Sequence, residues 1–144
     1  MDDLLFAYWE DFDYSIRSAR AGFLNRVVFE ASVFHPGKAV IASGDAAKPY
    51  YYYFMSRNEI LMWRKQCSRM IFLRFLVWVV RQRLVLIDGV PDNLAAVDAV
   101  LSGLWDGVRG VGGGYDPDKR MPFPFRDWAG RHPRFWIRMI DAIS

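Results

Sequence analysis

The chain has 144 residues, of which 53% are hydrophobic and 17% aromatic, with a formal charge of +3. That is the length of one domain with ample material for a core, and it excludes a disordered chain. A lone cysteine, Cys67, excludes an intrachain disulfide, so no oxidising compartment is required.

Residues 1–9 are apolar and end in Phe6-Ala-Tyr-Trp9, and Asp2-Asp3 stand where a signal peptide would need basic residues. Asp11 or Asp13 is placed to cap a helix with the body Tyr14 to Ala21, and Gly22 is placed to end it. Asn25 to Glu30 and Ala31 to His35 are rich in β-branched and aromatic residues and predict two short strands before the turn at Pro36-Gly37. Residues 38–49 read as a loop. A long helical stretch runs from Tyr50 to about Ile87, with a break near Cys67-Ser68. Asp92 or Asn93 caps the next helix, Leu94 to Val108. Its predicted polar side holds Ala95, Asp98, Ser102 and Asp106; its apolar side holds Val97, Leu101, Leu104, Trp105 and Val108. The glycines from Gly110 to Gly114 terminate it. Four prolines between Pro117 and Pro133 predict an irregular tail before a last helix from Phe135 to Ile143.

Arg57, Arg64, Lys65, Arg69, Arg74, Arg81 and Arg83 share one window with a single acid, Glu59. Such a surface attracts anions, and a solvated helix face reads the same way. The most apolar run, Met70 to Val80, contains Arg74. An arginine at a bilayer centre costs about 2.5–3.5 kcal/mol on insertion scales, so lying on a membrane suits this stretch better than spanning one. Tyr50 to Tyr53 could stack bases or sugars, or pack into a core, and no nucleic-acid-binding motif accompanies them. Gly110 to Gly114 lack the Gly-Lys-Ser/Thr ending of a phosphate loop and follow a helix.

Glu10, Asp11 and Asp13 stand against the aromatic residues Tyr8 and Trp9 at a helix start. Adjacent carboxylates there point in different directions, so one can face a ligand while another caps the helix. Ordinary N-capping accounts for the same residues. His35, at the end of an apolar strand, reads as a metal ligand or as a histidine satisfied by backbone. The chain has no His/Cys cluster of metal-site spacing.

Together these residues resemble the second half of an inverting family 2 glycosyltransferase, close to the bacterial rhamnosyltransferases and galactofuranosyltransferases. The resemblance rests on Trp9-Glu10-Asp11-Phe12-Asp13, Arg17, Gly22, Val27-Val28 and Val33-Phe34-His35, and on Tyr51-Tyr52-Tyr53 through Arg57-Asn58. It implies an α+β, mainly helical fold: a short β-hairpin and a C-terminal helical region, the second half of a GT-A (Rossmann-like α/β) enzyme without its nucleotide-binding half. Residues 1–49 would end the catalytic domain, and 50–144 would form the helical region.

By the same resemblance Asp11 is the catalytic base. Trp9, Glu10, Asp13 and Arg17 orient it and the acceptor, and His35 completes the coordination of Mg²⁺ or Mn²⁺. The implied partners are a nucleotide-sugar donor, a glycan or lipid-linked acceptor of surface polysaccharide or cell-wall synthesis, and the missing N-terminal half. The implied place is the cytoplasm, peripheral to the inner face of the cell membrane. Without the other half the chain is expected to be inactive alone, and uncovered apolar surface is expected to drive self-association. The competing expectation is a membrane-surface or partner-binding helical module with no catalysis, built on residues 50–87.

Overall fold

The computed structural model describes residues 3–34, 48–89, 93–118 and 125–143. They form six α-helices, with no strand among the described residues. The helices are α1 (Glu10–Arg20), α2 (Pro49–Gln66), α3 (Arg69–Asp88), α4 (Leu94–Arg109), α5 (Phe125–Arg131) and α6 (Pro133–Ile143). The expected α+β fold with a β-hairpin is therefore corrected to an all-α arrangement.

The physical reason lies in residues 23–34. Their β-branched and aromatic side chains favour a pleated, half-buried surface, but strand preference is realised through packing on neighbouring strands. No described strand lies beside them, and Val27, Val28, Phe29, Val33 and Phe34 remain exposed.

The helix boundaries follow local chemistry. The α1 helix ends in paired turns, with Gly22 N–H donating to the Ala19 carbonyl (3.1 Å) and Phe23 N–H to that of Ser18 (3.0 Å). Gly22 adopts φ +86° there, which a glycine takes without steric penalty. Extended backbone at Cys67 and Ser68 separates α2 from α3. Asn93 caps α4, its Oδ1 accepting from Ala96 N–H at 3.0 Å. The tail is more regular than predicted. It contains α5, and α6 starts at Pro133, whose fixed φ and missing N–H suit the first helical position.

The principal pair is α2 with α4. Two glycines of α4 make their close approach possible. A Cβ on Gly103 would lie 2.4 Å from the Tyr53 carbonyl oxygen, and one on Gly107 would lie 2.9 Å from that of Arg57. The expected polar side of α4 is corrected by this geometry. Asp106 and Ser102 are buried in the α2 contact, whereas Val108 is exposed. The core brings Ile60 of α2, Val79 and Ile87 of α3, and Val97, Val100, Leu101 and Leu104 of α4 together with Ala129 of α5. Arg83 of α3 pairs with Glu59 of α2. Arg81 and Asp88 of α3 pair with Asp141 and Arg134 of α6. Burial raises the Glu59 pKa, and the Arg83 guanidinium opposes that shift.

Candidate functional site

The turn before α1 is held in a strained shape. Phe6, Tyr8 and Trp9 all have positive φ (59°, 64° and 69°). Left-handed backbone costs a non-glycine residue about 1–2 kcal/mol, so something must hold all three. The restraint comes from two adjacent residues of α2, Arg57 and Asn58, both fully buried. Arg57 donates to the carbonyls of Leu4 (3.2 Å), Leu5 (3.1 Å) and Gly113 (2.7 Å). Asn58 Nδ2 donates to the carbonyls of Leu5 (2.7 Å) and Tyr8 (3.0 Å), with Ala7 also in reach. Arg57 Nε donates to Asn58 Oδ1 at 2.8 Å, which fixes the two side chains against each other.

The glycine-rich segment after α4 completes the clamp. A Cβ on Gly112 would lie 2.9 Å from the Leu4 Cα, so only glycine lets this segment lie against the turn. Helix termination was therefore only part of its role. The network continues through Tyr53, which receives a 3.3 Å bond from Arg57 and donates to the buried Asp106 at 2.7 Å. Burial, then the bond to Asp106, push the Tyr53 phenol up to about 12, against the opposing pull of Arg57.

A pH dependence follows. An unfolded tyrosine loses its proton near pH 10, and the folded Tyr53 holds it to about 12. Between these values the unfolded chain binds fewer protons, so stability falls as pH rises. Below pH 10 the contribution is fully present. Urea unfolding at stepped alkaline pH is expected to show a smaller loss over this window in Tyr53→Phe than in the parent chain.

The clamp sets out the three carboxylates differently. Asp13 is buried; it accepts from Arg17 Nε at 2.8 Å and from Gln66 Nε2 at 3.4 Å. Arg20 also donates to Gln66. Asp13 and Arg20 thus tie α1 to the end of α2, and Arg17 holds Asp13 from within α1. Asp11 is exposed, with Oδ1 accepting from the amide of Phe12 at 2.8 Å. The side-chain cap predicted for Asp11 or Asp13 is corrected: Trp9 is the N-cap residue, with no side-chain cap bond, and both acids lie in the first turn. Trp9 packs on Phe12 at 5.2 Å, and its buried Nε1 has no partner among the described residues.

Glu10 faces elsewhere. It lines a pocket of about 630 Å³ together with Phe6, Tyr8, Tyr50, Phe54 and Tyr115. The clamp places Phe6 so that its ring stacks on that of Phe54 at 5.6 Å, while Tyr8 meets Tyr51 edge-on at 5.4 Å. Burial raises the Tyr8 pKa, as do Tyr50, Tyr51 and the Glu10 charge.

His35 lies outside the described residues. Among the described residues no three His, Cys, Asp or Glu side chains group as metal ligands. Glu10, Asp11 and Asp13 diverge, which does not fit a Mg²⁺ or Mn²⁺ ion that takes several oxygens in octahedral array. Sequence reasoning found Glu10, Asp11, Asp13 and Arg17 but gave no role to Arg57-Asn58, and it missed Tyr115 altogether. The signal available for the first pair was a fixed Arg-Asn beside aromatics on a predicted helix. Compared with protein-family models, curated proteins and solved structures, the chain gives no match.

Proposed function

We propose that the chain carries the catalytic-base side of an inverting glycosyltransferase, acting with a nucleotide-sugar donor and a glycan or lipid-linked acceptor. The observation that carries this reading is the exposed Asp11 carboxylate. It stands in the first turn of α1, directly after a strained turn that a buried Arg57-Asn58 clamp holds beside an aromatic pocket. Strain held by an over-determined polar network is typical of sites where a group must be kept in place.

In this reading Asp11 takes the proton of an acceptor hydroxyl as that oxygen attacks the anomeric carbon. The nucleoside diphosphate leaves from the opposite face, so one displacement inverts the configuration. Asp13 positions Asp11 by anchoring α1 to Gln66, and Arg17 holds the Asp13 carboxylate in place. The described residues offer no phosphate cradle, so the donor is assigned to a nucleotide-binding partner segment. Exposed apolar side chains beside Asp11 on α1, Phe12 and Tyr14, suit such a partner.

The test joins the chain to the nucleotide-binding half of a family 2 glycosyltransferase and measures sugar transfer. Asp11→Asn is expected to lower the restored rate about 10²–10⁴-fold, the usual contribution of a general base. An unchanged rate removes Asp11 from that role.

A second reading has its own observation. Met70, Ile71, Leu73, Val77, Trp78 and Val85 of α3 are exposed, and Arg69 and Arg74 stand on the same exposed surface. No described helix is long and apolar enough to cross a membrane. An apolar row with flanking arginines suits an anionic lipid surface. Sedimentation with anionic vesicles is expected to show binding at low salt that weakens at high salt. Absence of binding at low salt ends this reading.

A further inference from the structure

The pocket beside the clamp has a composition that selects its ligand. Its walls are aromatic: Phe6 and Tyr50 are exposed, Tyr8 and Tyr115 are half-buried, and Phe54 forms a buried floor. Its volume of about 630 Å³ falls in the range of small-molecule sites. Among the described residues no lysine or arginine lines it, so none of them neutralises a phosphate there. Among the described residues its one charged lining group is Glu10, a half-buried carboxylate that can only accept hydrogen bonds. A ligand hydroxyl is a suitable donor to it.

We infer that this pocket binds a neutral saccharide ring. The exposed Phe6 and Tyr50 rings take the apolar C–H face of the sugar. The Glu10 carboxylate accepts from a ring hydroxyl, and the tyrosine hydroxyls supply further donors and acceptors. The strained turn gains a purpose in this arrangement, because positive φ at Phe6 and Tyr8 turns both aromatic rings into the pocket wall. The role of this site as the acceptor subsite rests on the glycosyl-transfer reading. Sugar binding itself does not.

An aromatic wall with one carboxylate would also attract an organic cation, and stacked rings would also attract a nucleobase. A volume of this size exceeds what a single methylammonium group fills, and the absence of lining basic residues disfavours a nucleotide.

The test is saturation-transfer-difference NMR on the full chain. The probes are the methyl glycosides of glucose, galactose, mannose and rhamnose at millimolar concentration, beside tetramethylammonium and uridine monophosphate. At least one glycoside is expected to receive saturation on its ring C–H protons. Glu10→Gln is expected to weaken it about tenfold, as loss of a hydrogen bond to a charged acceptor does. Tyr50→Ala, at an exposed rim position, is expected to weaken it similarly and keeps the test valid if Glu10→Gln fails to fold.

No saturation of any glycoside overturns the inference. So does binding that neither variant weakens, or preferred binding of tetramethylammonium or uridine monophosphate. Glycoside binding without restored transfer in the joined protein removes the transferase reading alone. Restored, Asp11-dependent transfer without glycoside binding removes this inference alone.

Discussion

Arg57→Ala is expected to destabilise the chain by about 3–5 kcal/mol, the range for breaking a buried charged network by deleting one partner. The guanidinium is fully buried and bonds the carbonyls of Leu4, Leu5 and Gly113, the Tyr53 hydroxyl and Asn58. It also lies 5.0 Å from the ring centres of both Tyr53 and Phe54. Alanine would strand buried carbonyls and leave a cavity between α2, the turn and the 110–114 segment. At about 3 °C per kcal/mol for a chain of this size, the thermal midpoint falls by about 10–15 °C. Arg57→Lys should recover little, because one ammonium cannot span acceptors that a planar fork reaches on several sides. Circular dichroism melting decides it, and a loss below about 1 kcal/mol would show that the network contributes little.

Gly103→Ala should be the second large effect, and it acts through backbone rather than polar groups. The added Cβ would sit 2.4 Å from the Tyr53 carbonyl oxygen and 3.0 Å from Ser56 Cβ. A helix backbone cannot move aside as a flexible side chain does, so α2 and α4 must separate. Overpacking of this kind costs about 1–3 kcal/mol, occasionally more. Alanine's better helix propensity returns about 1 kcal/mol at most. The net effect is destabilising, and the displacement also loosens the Tyr53–Asp106 bond that crosses the same interface. Gly114→Ala is the matched control. Nothing among the described residues lies within 4 Å of its added Cβ, so the change should stay within about 0.5 kcal/mol. Chemical denaturation of the two variants checks the contrast, and equal losses would contradict the packing described.

What could be read in advance follows from how local each signal is. Asn93, Gly22 and the Cys67-Ser68 break act within a turn of helix, so their residue types predict them. The strands predicted over 25–35 failed because strand preference depends on neighbours, and the described residues offer none. Asp106 reads as a surface residue by helical periodicity. Its burial depends on Tyr53, fifty-three positions earlier, whose hydroxyl it receives. Likewise Glu10 and Asp11 stood out as adjacent carboxylates, but their separation into pocket wall and exposed carboxylate depends on a turn fixed from α2. Tyr115 joins the pocket only because the segment after α4 returns to the turn, and no local pattern announces that.

The candidate site depends on one relation, that Asn58 and Arg57 hold the turn leading into Glu10 and Asp11 in its strained shape. Amide hydrogen exchange on Asn58→Ala measures it most directly, because Asn58 contacts that turn through the carbonyls of Leu5, Ala7 and Tyr8. Faster exchange is expected across residues 3–13, including the amides of Ala7 and Asp13 that bond to Leu5 and Trp9. The central amides of α2 and α4 should keep their protection. Unchanged exchange across residues 3–13 would contradict the account.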